Sequence, residues 1–215
     1  MPGTVPQNPK IYHILHLDRL ASVVQEGGLY CDSEIIRRRL PGTIIGLDHI
    51  KERRLNELVL RTNTSLHVGD CVPFYFCPRS VMLYIFWRDN HPDLTYHGGQ
   101  DPIVHLVFDM FAAIHWAQKQ NRHWAFTDIN AGSRLFEDFD DTRDLERLDW
   151  NAIFASSWSV CESQKQAEFL VERFFPWSLV ERIGVIDERR ADQVRKVLTG
   201  NASSARIEVR RDWYY

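Results

Sequence analysis

The chain alternates short apolar runs with amphipathic stretches, and the period of each stretch sets the element it predicts. Ile11 to Leu15 and Leu29-Tyr30-Cys31 read as short strands. Between them, Asp18 is placed to cap a helix through about Gln25, with Leu20, Val23 and Val24 inward and Gly27-Gly28 ending it. Residues 32–48 read as irregular, and a helix follows from about Asp48 to Leu60. Val72 to Cys77 is a strongly apolar strand closed by Pro78, after which Ser80 starts a helix through Trp87. Pro102 to Phe108 reads as a buried strand, Met110 to Gln120 as a helix and Trp124 to Thr127 as another strand. Residues 137–149, with seven acidic and two basic positions, read as a solvated helical face. A short helix near Pro176–Leu179, a strand at Ile183–Ile186, a helix at Arg190–Leu198 and a strand at Ile207–Arg211 complete the series. Strands and helices mix without regular βαβ alternation, which predicts an α+β fold. Residues 1–10, with three prolines, read as an extended lead-in, and 11–215 as one domain.

One position breaks its local pattern. Residues 165–172 alternate as a half-buried strand, with Ala167, Phe169 and Val171 on one face and Gln166, Glu168 and Leu170 on the other. A carboxylate at Glu168, among apolar neighbours and after a loop holding Ser156, Ser157, Ser163 and Gln164, is either a solvated residue or an acid aimed into a cleft.

Composition narrows the choice of chemistry. Hydrophobic content of 44% and charged content of 26% suit a globular protein, and no apolar run reaches membrane-spanning length. The first residues lack the apolar core of a secretory signal. Cys31, Cys71, Cys77 and Cys161 follow no pairing pattern and read as reduced thiols of a cytoplasmic protein. The net charge of −3 announces no nucleic acid, yet six Lys/Arg against two acidic residues fall between Arg37 and Arg54. That run is either a solvated face or a phosphate-binding element.

Several familiar chemistries find no support. The Cys and His spacings do not suit zinc, and HExxH, GxGxxG, GxxxxGK[ST] and GxSxG are all absent, so no metal is expected. Cys77 reads as a buried structural thiol. In Tyr12-His13-Ile14 the histidine opposes its apolar neighbours and reads as a hydrogen-bonded core or edge residue. Tyr75, Arg79 and Met82 surround a strand-to-helix turn. A cation at a helix start is not explained by the helix dipole, which makes Arg79 a candidate anion ligand.

Taken in order, Ile11-Tyr12-His13-Ile14, His49 to Arg54, Val72 to Ser80, Gly98 to Ile103, Phe126-Thr127-Asp128, Lys165 to Leu170 and Asp212-Trp213-Tyr214-Tyr215 resemble the DarT family. These are bacterial DNA ADP-ribosyltransferase toxins paired with a macrodomain antitoxin. The resemblance runs from about residue 11 to residue 215. It implies a compact ADP-ribosyltransferase fold, a central split mixed sheet flanked by helices, that takes NAD+ as co-substrate and joins ADP-ribose to a base of single-stranded DNA, thymine by the form of the Val72–Tyr84 and Lys165–Leu170 blocks. It further implies Glu168 as catalytic glutamate and Arg54 as catalytic arginine, with Arg54 also contacting NAD+. Tyr12, His13, Ile14, Gly28 and Leu29 would hold NAD+, along with the basic segment from about Pro41 to Arg54. Tyr75, Arg79, Met82 and Trp158 would meet the DNA, and a loop between about Asn130 and Glu168 would present it. The family pattern has a histidine shortly after Phe-Thr-Asp, where this chain carries Ile129-Asn130; Asn130 or His123 are the candidate replacements. The competing expectations are transfer to RNA or protein, or an inactive relative that binds DNA or a partner.

Overall fold

The computed structural model describes residues 3–200 and 205–215, so the first two residues of the lead-in lie outside it. Ten strands are found among the described residues: β1 (Lys10–His16), β2 (Gly28–Tyr30), β3 (Cys71–Tyr75), β4 (Ile103–Asp109), β5 (Trp124–Thr127), β6 (Asp138–Phe139), β7 (Glu168–Glu172), β8 (Phe174–Pro176), β9 (Arg182–Val185) and β10 (Arg206–Val209). Eight of them form one mixed sheet in the order β10-β9-β4-β1-β3-β7-β5-β6, and β2 pairs with β8. Only β10 and β9 run parallel. The helices are α1 (Leu20–Gln25), α2 (Asp32–Arg38), α3 (Asp48–Asn56), α4 (Val81–Arg88), α5 (Met110–Lys119), α6 (Trp150–Phe154), α7 (Glu162–Lys165) and α8 (Glu188–Leu198). This is the α+β arrangement that the apolar pattern predicts.

The sheet opens at one seam, and the sequence contains the reason. β1 keeps register with β4 over seven residue pairs but meets β3 only at Tyr12 and Tyr75. Two positions before Tyr75 stands Pro73, which has no N–H to give to a ladder. Its carbonyl lies 2.8 Å from the His13 ring instead. From Tyr75 the row continues to Glu168 across the β3–β7 pairing. The seam therefore lies beside the row that carries the carboxylate.

Several elements differ from the sequence expectation. Residues 32–38 form α2, not an irregular stretch. Asp32 and Glu34 occupy its first turn and Arg37 and Arg38 its last, so the charges complement the helix dipole. Asp18 does not cap α1. It lies in a single 3-10 turn (Leu17–Arg19), and its carboxylate accepts from the Thr43 N–H at 3.0 Å and the Thr43 hydroxyl at 2.6 Å. Those donors fix the loop between α2 and α3. Residues 137–149 supply β6 and a 3-10 turn (Thr142–Arg147) in place of a helix. Asp138 is taken by the Arg61 and Thr62 N–H groups, each at 2.9 Å, which draws it into the structure. Both faces of β7 are buried, so the expected solvent side of that strand does not exist.

The main core lies on one side of the sheet around Phe74, Phe108, Phe126, Phe169 and Phe175, with α5 packed against it through Met110, Ala113, Ile114 and Ala117. A smaller core joins Leu83 and Phe86 of α4 to Ile103, Val107, Trp213 and Tyr214.

Candidate active site

A cleft of about 240 Å³ opens at the seam. Its floor is His13, Ile14, Pro73 and Tyr75 from β1 and β3, and Glu168 of β7 forms one wall. α3 supplies Ile50, Lys51, Arg54 and Leu55, spaced to lie on one helical face. The loop before α3 adds Thr43 to Leu47. Gly46 has φ +110° there, a conformation that L side chains rarely adopt. α4 contributes Met82 and Ile85.

The Glu168 carboxylate is 3% exposed, and its oxygens meet four donor contacts. Arg54 gives three of them, Nη1 at 3.2 Å to Oε1 and 3.0 Å to Oε2, and Nη2 at 3.0 Å to Oε2. The Ala131 N–H donates to Oε1 at 3.0 Å. The strand end is fixed as well: the Glu168 N–H donates to the Thr127 hydroxyl at 3.1 Å, which in turn donates to the Ile129 carbonyl at 2.7 Å. Such charge-assisted, partly bidentate pairing fixes an orientation as well as a charge.

Around this pair the electrostatics are arranged in layers. Lys51 and Asp32 form an ion pair at 2.6 Å on the cleft wall. Burial pushes the Asp32 carboxyl up, but Lys51 and then Arg54 outweigh it and hold it below its ordinary value. Burial disfavours the charged form of Arg54, yet Glu168 and Asp32 hold its guanidinium firmly protonated. Burial, and next the Glu168 charge, push the Tyr75 phenol up, so it remains a neutral donor. His13 is lowered to about 4 by desolvation, despite its bond to the Pro73 carbonyl, and faces the cleft uncharged at neutral pH.

Asn130 has its amide fixed on both sides. Its Nδ2 donates to Gln166 Oε1 at 2.7 Å and its Oδ1 accepts the Gly132 N–H at 2.6 Å. Both Asn130 and Gln166 line the cleft next to Glu168.

The structure thus brings together Glu168, Arg54, His13, Ile14, Tyr75, Met82 and Asn130. It places the other candidates elsewhere. Tyr12 shares the row of Tyr75 but packs edge-on against Trp213, with ring centres 5.5 Å apart, and does not line the cleft. Gly28 pairs with Pro176 and Leu29 is buried in the main core, so β2 presents only Tyr30 to the cleft. Arg79 lies over the Tyr215 ring at 4.2 Å, and Trp158 donates from Nε1 to the Tyr215 hydroxyl at 3.1 Å, both outside the cleft lining. His123 sits at the far end of β5, bonded to the Thr62 hydroxyl at 3.0 Å. Four residues of extended strand separate it from Thr127, about 13 Å, and it does not share the cleft lining with Asn130.

Sequence reasoning passed over Asp32, Gln166 and Arg19, which also line the cleft. Gln166 stood inside a quoted block. Asp32 carried no signal while residues 32–48 read as irregular. Among the described residues no three His, Cys, Asp or Glu side chains gather as a metal site, and no helix is long and apolar enough to cross a membrane.

The chain is similar to known proteins over its whole length. A DNA ADP-ribosyl transferase of Thermus aquaticus is 40% identical over 208 residues, covering 95% of this chain and 88% of that one. The structure of Thermus sp. 2.9 DarT in complex with ADP-ribosylated single-stranded DNA superposes with a TM-score of 0.88 at 36% identity, covering the whole of both chains. The same protein in complex with NAD+ gives 0.82 at 34% identity, covering 99% of this chain and 100% of that one. Fold and sequence are those of an NAD+-using DNA ADP-ribosyltransferase. The family profile described as ssDNA thymidine ADP-ribosyltransferase, DarT, matches residues 12–215, and the chain belongs to the DarT family.

Proposed function

We propose that this protein transfers ADP-ribose from NAD+ to thymidine in single-stranded DNA through Glu168 and Arg54, and releases nicotinamide. The observation that carries the reading is a buried carboxylate paired to a guanidinium in the wall of a largely apolar cleft.

The residues present fit NAD+ as co-substrate. Ile14, Ile35, Ile45 and Ile85 give apolar walls suited to flat rings, while Arg19 and Lys51 bring positive charge to the same cleft for a pyrophosphate. Cleaving a nicotinamide–ribose bond builds positive charge on the ribose. A carboxylate fixed beside that charge stabilises the transition state more than the ground state. Glu168 fills this role, accepting a ribose hydroxyl on an oxygen that Arg54 partly vacates. The four contacts seen here already occupy the lone pairs of a carboxylate, so an Arg54 N–H must turn away for a hydroxyl to enter. The released N–H then faces the cleft and is free to stabilise the attacking base or a phosphate. An arginine does not deprotonate in a protein, so Arg54 acts by charge and orientation and takes up no proton; the proton that the attacking base gives up leaves to solvent as its bond to the ribose forms and the nicotinamide bond breaks.

Single-stranded DNA presents an unstacked base without the cost of opening a duplex. Tyr75 and Met82 line the cleft such a base would enter, and Asn130 with Gln166 would offer a fixed amide edge for its polar groups, which supports the reading. The four free thiols suit a reducing cytoplasm, and a macrodomain antitoxin is the expected partner. The test is incubation with labelled NAD+ and single-stranded oligonucleotides with and without thymidine, comparing the parent with Glu168→Ala. Label that appears on thymidine-free strands, on RNA or on protein, or equally with the variant, contradicts the reading.

A further inference from the structure

Residues 211–215 make contacts that the chemistry above does not use. Trp213 and Tyr214 are 4% and 3% exposed, and the Tyr214 hydroxyl donates to the Ile103 carbonyl at 2.7 Å. Gln100 then holds the next residue by its main chain, with the Tyr215 N–H donating to Oε1 at 3.0 Å and Nε2 donating to the Tyr215 carbonyl at 2.5 Å. With its backbone fixed, Tyr215 sends its phenol toward the β3–α4 turn. The hydroxyl accepts from Trp158 Nε1 at 3.1 Å and donates to the Arg79 carbonyl at 3.3 Å. The Arg79 guanidinium lies 4.2 Å from the centre of the same ring.

Both groups held in this way, a cation and an aromatic ring, lie outside the cleft lining and connect to it through α4. α4 turns Met82 and Ile85 to the cleft and Tyr84 and Trp87 to Tyr215, with the Tyr84 ring 5.1 Å from both Tyr215 and Trp158. Trp158 belongs to the 155–161 loop, in which Ser156, Ser157, Ser159 and Val160 are exposed. That loop leads through α7 to Gln166 and Glu168. Arg79 is balanced by a ring face instead of a carboxylate, and among the described residues its buried Nε has no hydrogen-bond partner. A cation held by a π face keeps its N–H groups available for phosphate oxygens.

We propose that Tyr215 is a positioning residue for single-stranded DNA: its hydroxyl sets the Trp158 loop and its ring sets Arg79. This rests on the DNA ADP-ribosyltransferase reading above. Tyr215 itself touches no reacting atom. Its loss is felt in DNA binding and not in the handling of NAD+.

Tyr215→Phe removes only the hydroxyl. It raises KM for a thymidine-containing oligonucleotide about fivefold, the effect of one net hydrogen bond, while DNA-free NAD+ hydrolysis and kcat at saturating DNA stay within about twofold of the parent. Trp158→Phe gives no larger a change, and the double variant is no worse than either single one, because one interaction is removed by both. Tyr215→Leu removes the ring too, and the salt slope of DNA binding falls by about one phosphate contact as Arg79 loses its platform. A parent-like KM in Tyr215→Phe, multiplying effects in the double variant, or a parallel fall in NAD+ hydrolysis overturns the proposal. A parent protein that leaves DNA unlabelled refutes the proposed function instead, whereas labelled DNA with an indifferent Tyr215→Phe refutes only this inference.

Discussion

Among the described residues Glu34 and Glu168 are the two buried glutamates, both are bound by arginine, and their surroundings differ. Glu34 on α2 accepts from Arg37 at 2.6 Å, Arg38 at 2.8 Å and Arg173 at 3.1 Å. Glu168 has one arginine and a single backbone N–H. Counted by partners, Glu34 is the better-held carboxylate; the hydrogen bonds of Arg37, then of Arg38, pull it down to about 2. Its arginines, however, are 60%, 33% and 55% exposed, and it does not line the cleft. Arg54 is 12% exposed and faces the same cavity as its partner. An ion pair anchors structure when water can replace its partners. Where both partners line a cavity, as Arg54 and Glu168 do, the pair is open to a ligand.

The sharpest way to break this contrast is to neutralise each carboxylate in turn. Glu168→Gln lowers kcat for DNA modification by about 100- to 1000-fold, as for removal of one preorganised group, measured by transfer of labelled ADP-ribose. Arg54→Ala leaves the Glu168 charge buried without its partner and costs about 3–5 kcal/mol of stability. Denaturant unfolding measures that loss, and Arg54→Lys recovers part of it without the bidentate geometry. Asp32→Asn frees Lys51 and raises KM for NAD+ or lowers kcat by about tenfold, the order expected for a misoriented charged neighbour. Glu34→Gln has the smallest effect: about 1–2 kcal/mol of stability, from hydrogen bonds to charged groups discounted for exposure, with kcat unchanged.

Acid probes the Glu34 anchor directly. The folded-state pKa of Glu34 lies at about 2, below its ordinary 4.5, so the unfolded chain binds more protons between those values. The stabilisation is complete above about pH 4.5 and is lost as pH falls toward 2. Thermal unfolding of the parent and of Glu34→Gln therefore differs at neutral pH and converges in acid. A constant difference across that range contradicts an anchoring role for the charge.

The elements that were legible were those with local causes. Ser80 caps α4 through the Leu83 N–H at 3.2 Å, and Trp124–Thr127 is a strand as its apolar run predicts. The central placement of β1 was not legible, because strand order is set by pairings between distant segments. Pro73 alone gave a hint of the seam. α2 stayed hidden since its helical character comes from charges at its two ends and not from an apolar stripe. In the site, Glu168 and Arg54 stood out by type and by the family blocks. Asp32, Gln166 and the Ala131 N–H emerged only with the fold, because each acts through a contact that spacing does not encode.

The partners Arg54 and Glu168 stand 114 residues apart. Bringing such distant points together carries a closure cost in chain entropy, repaid only when β3, β7 and the sheet around them have formed. A chain still emerging from the ribosome, with Arg54 made and Glu168 not, holds neither half of the cleft in place. The long span ties completion of the cleft to the synthesis and folding of most of the chain.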